Sequence, residues 1–146
     1  HLNYLLKKQN IINAQIISDD KIKSAIIKKS IFAVVKSGTV SLEVCKEHVP
    51  SIIIYKMNFL NFIIAKLFLK IKFVNMINII NDKEILPELI QKQCNADEIF
   101  KTVYYFLKKP DLINDQLINV KKTINNLTSK TSSSKEASKI LLSHLT

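Results

Sequence analysis

Arginine is absent from this chain, so all of its basic residues are lysines. Arginine is the side chain that most often reads base edges, and its absence disfavours sequence-specific binding of nucleic acid even at a formal net charge of +10. Isoleucine, lysine and asparagine are abundant, as in proteins encoded by AT-rich genes, and this bias contributes to the charge. A small basic module that binds nucleic acid or a membrane surface without catalysis is nevertheless an alternative interpretation.

Cysteine and histidine are also scarce. Cys45 and Cys94 lie far apart, and the three histidines are scattered along the chain. These spacings fit neither a zinc site nor a disulfide framework, and they do not support a nucleophilic Cys/His pair. We therefore expect reduced thiols, and we predict no metal ion and no cofactor.

Long apolar runs are lacking too. The most apolar stretch, residues 59–69, contains Asn61 and Lys66. It is much shorter than the ~20 residues that a membrane-spanning helix needs. An integral membrane protein is therefore not predicted.

The same stretch belongs to a strongly amphipathic helix predicted at residues 58–71. Its second face carries Phe59, Phe62 and Leu69 beside lysines. Burial of this face against a neighbouring domain is the favoured interpretation, and contact with a membrane surface is the alternative.

Glycine occurs once, at Gly38, and the chain is organised around it. The apolar residues 31–35 before it are typical of a buried parallel strand, and a short helix is predicted to follow with Ser37 or Thr39 as its N-cap. Backbone N–H groups and hydroxyls would then meet at the carboxyl end of a strand, a geometry that holds an anion or a phosphate. An ordinary strand-to-helix turn that needs one glycine is the alternative.

Glu43 follows Thr39 by one turn on the same face of this helix. It lies too far along the helix to complete a capping box. A carboxylate at this position would repel a phosphate but could accept hydrogen bonds from sugar hydroxyls beside it. The pattern therefore indicates the ribose of a nucleotide.

The first part of the chain alternates between strands and helices with short connections. These elements are a strand at 13–17, a helix begun by Asp19 or Asp20, the strand at 31–35, the helix after Gly38 and a strand at 51–55. Such alternation predicts an α/β fold with a doubly wound, mostly parallel sheet.

The rest of the chain is predicted to be mostly helical. A short strand at 73–76 and a loop at 77–81 precede a short helix at 87–91, which begins with a proline. Two longer helices follow, begun by Asn95 and Asp111.

Two stretches together resemble a known family. Residues 37–43 (Ser-Gly-Thr-Val-Ser-Leu-Glu) are one; the other is 78–80 (Asn-Ile-Ile), followed by Glu84 and by 87–91 (Pro-Glu-Leu-Ile-Gln). Both are similar to the carboxyl half of lipid-A-disaccharide synthase. Further residues in matching order and spacing are Pro50, Tyr55-Lys56-Met57 and Ala65-Lys66. The similarity covers about residues 13–127, most of the chain.

The resemblance implies a two-domain glycosyltransferase of the B fold, of which this chain is the Rossmann-like, donor-binding part with a helical C-terminus. The family joins UDP-2,3-diacylglucosamine to 2,3-diacylglucosamine 1-phosphate, which forms the lipid A disaccharide and releases UDP. It works in the cytoplasm, at the inner membrane of Gram-negative bacteria. The implied partners are the acylated UDP-sugar donor, the acylated sugar phosphate acceptor, the inner-membrane surface and an amino-terminal half. A homodimer is a further alternative, and nucleic acid is not expected as a partner.

Carried over residue by residue, the donor site includes Ser37, Gly38 and Thr39 near the diphosphate. Glu43 matches the family's functional glutamate and Asn78 its functional asparagine. The resemblance implies no metal.

The sequence departs from the family pattern at two positions near this site. The family usually has proline at the position of Ile77, and Lys83 replaces an arginine, which removes a bidentate contact with phosphate. The acceptor site and the catalytic base are expected in the amino-terminal half, so this chain alone is expected to be inactive.

Residues 1–127 are assigned to the partial donor-binding domain, and 128–146 to a Ser/Thr/Lys-rich linker and a C-terminal helix.

Overall fold

A parallel sheet of three strands forms the centre of the computed structural model, which describes residues 13–58, 72–127 and 143. The strands are β1 (Ala33–Lys36), β2 (Ser51–Tyr55) and β3 (Glu88–Ile90), in the order β1-β2-β3. Ile52 and Ile53 of the central strand are fully buried. The predicted α/β fold with a mostly parallel sheet is therefore confirmed.

In the described ranges, five α-helices accompany the sheet. They are α1 (Asp20–Lys29), α2 (Thr39–Lys46), α3 (Met76–Asn81), α4 (Ala96–Leu107) and α5 (Pro110–Leu127). The chain passes through α2 between β1 and β2, and it enters β3 after α3. Helix α5 packs against α2, α3 and α4, which confirms a helical C-terminal part.

Two of the predicted helix starts are confirmed by their caps. The Asp19 side chain accepts hydrogen bonds from the backbone N–H groups of Lys21 and Ile22 at the start of α1. The Asn95 side chain accepts one from the N–H group of Glu98 at the start of α4. Asp111 lies inside the first turn of α5, so its predicted role as a cap was wrong.

Two predicted strands and one predicted loop were wrong. Residues 13–17 form no strand, and 73–76 are irregular up to Met76, where α3 begins. The loop predicted at 77–81 belongs to α3, because the Asn75 side chain caps this short helix by accepting from the N–H group of Ile77.

The helix predicted at 87–91 is the strand β3. Pro87 is compatible with either structure at the beginning of an element, so the tertiary context decides. The N–H group of Ile53 donates to the carbonyl oxygen of Pro87 at 2.8 Å, and β3 then pairs with the central strand. Pairing with β2 thus overrides the local preference.

The core lies between the sheet and the helices that pack on it. Its buried residues include Val44 and Cys45 of α2, Ile53 of β2, Ile77 of α3 and Val120 of α5. One apolar cluster therefore joins the strand that precedes Gly38, the helix that follows it and the long helix α5.

Gln116 of α5 fixes the amino end of β2. Its side-chain oxygen accepts from the N–H group of Ser51 at 2.8 Å, and its side-chain nitrogen donates to the carbonyl oxygens of Ser51 at 3.0 Å and Ile85 at 3.3 Å. Because Gln116 is 3% exposed, these bonds satisfy backbone groups that water cannot reach.

The helix predicted at 58–71 and the linker and helix predicted at 128–145 lie outside the described residues, apart from residues 58 and 143. Within the part that is described, no helix is both long enough and apolar enough to cross a membrane.

The two thiols differ in accessibility, which gives a direct test of the core. Burial raises the pKa of the Cys45 thiol from an ordinary 9.0 to about 11, and Cys94 is partly exposed. At pH 8 we expect a thiol reagent to modify Cys94 rapidly and Cys45 only as the chain unfolds, which mass spectrometry would show.

The raised pKa also means that neutral Cys45 stabilises the fold below pH 9 and that this contribution is lost as the pH rises toward about 11. Modification of both thiols at equal rates in the native chain would contradict the burial of Cys45.

Candidate functional site

The turn at Gly38 lies at the carboxyl end of β1 and begins α2. Gly38 has φ 148° and ψ −165°, a conformation that is essentially restricted to glycine. Apart from the two neighbours of Gly38 in the chain, no atom of the described residues lies within 4 Å of the position that a Cβ would take, so the turn is open on this side. The special turn predicted from the single glycine is present, and it leaves room for a ligand.

Neither of the two predicted residues caps α2. Gly38 itself holds the N-cap position, and no side chain makes a capping hydrogen bond. The Ser37 hydroxyl donates instead to the carbonyl oxygen of Val74 at 2.8 Å, and Thr39 is the first helical residue. The cap prediction failed because a contact distant in sequence takes the Ser37 hydroxyl.

Backbone N–H donors and positively charged side chains lie at this edge of the sheet. In the first turn of a helix the backbone N–H groups, here those of Thr39 and Val40, lack acceptors within the helix. Lys36 ends β1 and Lys56 follows β2, and both side chains are exposed. The partial positive charge of the helix start and two lysines near the strand ends suit a phosphate.

A second contact ties the ends of β2 and β3 together at the same edge. The Gln91 side chain accepts from the N–H group of Met57 at 2.9 Å and donates to the carbonyl oxygen of Met57 at 3.2 Å. Gln91 has φ 52°, a left-handed conformation that is uncommon for a residue other than glycine. The segments that leave the two strands are thereby held side by side.

Ser41 and Asn75 support the Gly38 turn from inside. The Ser41 hydroxyl donates to the carbonyl oxygen of Gly38 at 2.6 Å and accepts from the side-chain nitrogen of Asn75 at 2.9 Å. Ser41 is 2% exposed and Asn75 is fully buried. The backbone of the turn is therefore hydrogen-bonded to the segment that precedes α3.

Glu88 of β3 is a buried carboxylate that holds this segment. Its two oxygens accept from the N–H groups of Val74 at 2.8 Å and Asn75 at 2.9 Å and from the side-chain nitrogen of Asn78 at 2.8 Å. No ion pair involves Glu88 among the described residues, so N–H donors are the partners of this carboxylate there.

Asn78 lies in the interior and uses its whole amide. Its nitrogen donates to the carbonyl oxygen of Leu86 and to Glu88, and its oxygen accepts from the N–H groups of Ile85 and Leu86. All four hydrogen bonds are 2.7–2.9 Å long. Asn78 is thus joined to the Gly38 turn through Glu88 and Asn75, and its amide has no donor or acceptor left over.

Glu43 projects toward α1, where its carboxylate lies 3.3 Å from the Lys23 ammonium. Hydrogen bonding to Glu43 raises the pKa of Lys23, and the Glu43 side chain is 51% exposed. Glu43 and Thr39 line one groove of about 290 Å³, together with residues of α5. The prediction that they share a helix face is confirmed.

The structure therefore brings four of the five predicted site residues to one surface and leaves one inside. Ser37, Gly38 and Thr39 form the turn, Glu43 shares the groove of Thr39, and Asn78 is buried. Within the described ranges, no group of three or more His, Cys, Asp or Glu side chains could hold a metal ion.

Sequence reasoning gave no role to Ser41, Asn75 or Glu88. A signal exists only for Glu88, the one charged residue in the run Ile-Leu-Pro-Glu-Leu-Ile at 85–90. A lone charge in an apolar run must either reach solvent or find partners inside. The partners could not be identified, because they come from segments that only the fold brings near.

Comparison of the sequence with known proteins finds a matching family. The family model described as lipid-A-disaccharide synthetase matches residues 2–141. A relative from Rickettsia bellii (strain OSU 85-389), named lipid-A-disaccharide synthase, is 38% identical over 112 residues, which is 77% of this chain and 29% of the relative.

Two further relatives agree. A lipid-A-disaccharide synthase of Rickettsia prowazekii (strain Madrid E) is 36% identical over 86% of this chain and 30% of its own length. Lipid-A-disaccharide synthase 1 of Legionella pneumophila (strain Lens) is 37% identical over 64% of this chain and 25% of its own length. The chain spans less than a third of these relatives, and it belongs to the lipid-A-disaccharide synthase family.

Proposed function

We propose that the Gly38 turn and the start of α2 bind the UDP part of a UDP-sugar in a glycosyltransferase that forms the lipid A disaccharide. The observation that carries this proposal is the open glycine turn at a helix start on the carboxyl edge of a parallel sheet. In open α/β sheets this edge is where ligands bind.

The diphosphate would lie against the turn. Gly38 presents no side chain there, so the phosphate oxygens could approach the N–H groups of the first helical turn closely. The Thr39 hydroxyl could add a donor, and exposed Lys36 and Lys56 would add positive charge near the strand ends. These groups would also stabilise the departing diphosphate of UDP during transfer.

The ribose would lie in the groove that Thr39 and Glu43 share. A half-exposed carboxylate one helical turn from the phosphate site can accept from ribose hydroxyls without facing the phosphates directly. Glu43 lies between this groove and a second one on the α1 side that Lys23 lines, and beside its ion pair with Lys23 the half-exposed carboxylate keeps acceptor sites for the sugar.

Asn78 is proposed to serve the donor site through other residues. Its four hydrogen bonds inside the protein favour a role in holding the end of α3 and the approach to β3. The carboxylate of Glu88, which Asn78 contacts, continues this support toward the turn.

The complete reaction is proposed from the family. The sugar of UDP-2,3-diacylglucosamine would pass to 2,3-diacylglucosamine 1-phosphate in an inverting displacement that releases UDP. The acceptor site and the general base would come from an amino-terminal half. The part of the site described above would orient the donor.

A cytoplasmic position at the inner membrane is part of the same proposal, because both sugars would carry acyl chains. An exposed aromatic surface on α4 supports it. Phe100 is 68% exposed, Tyr104 is 54% exposed, and Lys108 lies over the Tyr104 ring at 5.5 Å. Aromatic rings beside lysines suit the interface between lipid and water.

Calorimetric titration of this chain with UDP, with ATP as the competing nucleotide, tests the donor site. We expect UDP to bind in preference to ATP. Glu43→Gln should weaken UDP binding by about 1.5–3 kcal/mol, because a charged acceptor for the ribose hydroxyls is lost.

Glu47→Gln is the matched control for this substitution. Glu47 lies one helical turn after Glu43 and likewise pairs with a lysine of α1, Lys28 at 3.7 Å. It should leave UDP affinity unchanged. Equal UDP affinity of the wild-type chain and a folded Glu43→Gln variant would remove Glu43 from the site.

Gly38→Ala tests the turn itself. A methyl group here meets no atom of the described residues beyond the adjacent ones in the chain, so we expect the cost to come from the backbone conformation. We expect the free energy of unfolding in urea to fall by about 1–3 kcal/mol and UDP binding to weaken. An unchanged unfolding curve would show that the turn does not need glycine.

A further inference from the structure

We propose that Glu88 is a positioning residue of the donor site, whose buried carboxylate fixes the Gly38 turn through two chains of hydrogen bonds. The inference rests on the proposed function, because it assigns to Glu88 a role in holding the surface that would bind UDP. Glu88 lies on β3, and both chains of contacts pass through the segment before α3.

The first chain runs through Val74 to Ser37. Glu88 accepts from the N–H group of Val74 at 2.8 Å, and the carbonyl oxygen of Val74 accepts from the Ser37 hydroxyl at 2.8 Å. A single peptide segment thus joins the carboxylate to the residue before Gly38. The Ser37 hydroxyl is held by this contact although 37 residues separate it from Val74.

The second chain runs through Asn75 and Ser41 to Gly38 itself. Glu88 accepts from the N–H group of Asn75 at 2.9 Å. The Asn75 side chain donates to the Ser41 hydroxyl at 2.9 Å, which donates in turn to the carbonyl oxygen of Gly38 at 2.6 Å. Every side chain in this path is at least nine-tenths buried.

The turn depends on these contacts because its other hydrogen bonds join backbone groups only: the Ser37 N–H group donates to the carbonyl oxygen of Ile54 at 3.3 Å, and the Ser41 N–H group donates to that of Gly38 at 3.1 Å. Among the described residues, no side chain caps α2 and none packs where a Gly38 side chain would lie. Glycine is the residue with the most backbone freedom, so an unsupported turn would sample many conformations. A fixed arrangement of the phosphate-binding N–H groups therefore requires the internal bonds to Ser37 and Ser41.

The negative charge of Glu88 matters as well as its shape. A carboxylate has only acceptors, and it meets three N–H donors with its two oxygens. Glutamine at this position would turn an NH₂ group toward at least one of these donors. The segment from Val74 to Asn75 would then shift, and both chains of contacts would be disturbed.

The single glycine allows the turn to be observed directly. After labelling with [15N]glycine, the backbone amide of Gly38 gives the only glycine resonance of the chain. Its chemical shift reports the conformation of the turn, whereas a general loss of stability in a folded protein leaves it in place.

Three variants of the full chain separate positioning from stability. Glu88→Gln disturbs both chains of contacts, and Ser41→Ala removes the last two hydrogen bonds of the second chain, from Asn75 to Ser41 and from Ser41 to Gly38. Gln116→Ala is the control, because it also removes three buried hydrogen bonds but at the amino end of β2. Stability is measured by urea unfolding, UDP affinity by calorimetry and the turn by the Gly38 resonance.

We expect Glu88→Gln and Ser41→Ala to move the Gly38 resonance and to weaken UDP binding about tenfold or more. Gln116→Ala should lower stability while the resonance and the affinity stay at the wild-type values. Because Ser41 and Glu88 act on one path, the double variant should lose less affinity than the product of the two single losses.

The proposal is overturned if Glu88→Gln folds with the Gly38 resonance and the UDP affinity unchanged, since Glu88 would then serve stability alone. Should Glu88→Gln fail to fold, Ser41→Ala decides by the same two measurements. Should the wild-type chain fail to bind UDP, the proposed function fails. The Gly38 resonance then still decides whether Glu88 fixes the turn.

Discussion

A carboxylate buried without a cation among the described residues is the constraint on which the carboxyl edge of this sheet depends. Glu88 accepts hydrogen bonds from three N–H groups, and each of these groups belongs to the segment that links β2 to β3 through α3. A buried charge is tolerated only when such donors are in place, so the position of this segment is set by the need to satisfy Glu88. The Gly38 turn is bonded to the same segment, which joins the turn after β1 to the third strand.

Two glutamines complete this arrangement around the central strand. Gln116 takes the N–H and carbonyl groups of Ser51 at the amino end of β2, and Gln91 takes those of Met57 beyond its carboxyl end. Each side-chain amide donates to and accepts from one backbone residue, as the backbone of a neighbouring strand would. The apolar core therefore supplies the driving force for folding, and buried amides and one carboxylate fix where the segments at the strand ends lie.

The limits of sequence reasoning follow from the same contacts. The apolar runs of β1 and β2, the unique Gly38 and the caps Asp19 and Asn95 are local signals, and each predicted its element. The strand β3 was predicted as a helix because its three residues are specified by pairing with β2. The loop predicted around Asn78 proved to be a helix because Asn75 caps it, and Glu88 accepts a hydrogen bond from the N–H group of Asn75.

The residues of the candidate site show the same difference between local signals and contacts that are distant in the sequence. The special turn at Gly38 and the position of Glu43 on the helix face of Thr39 could be predicted because glycine conformation and helix periodicity act within a few residues. The contacts that join Ser41, Asn75 and Glu88 to one another could not be predicted, since they span 34 positions (Ser41 to Asn75) and 13 positions (Asn75 to Glu88) of the sequence. The most direct test of the account is titration of the [15N]glycine-labelled chain with UDP. Binding at the turn should move the Gly38 resonance saturably, and ATP should have a much smaller effect. UDP binding that leaves this resonance unmoved, or no binding by the folded chain, would contradict the assignment of the turn as the diphosphate site.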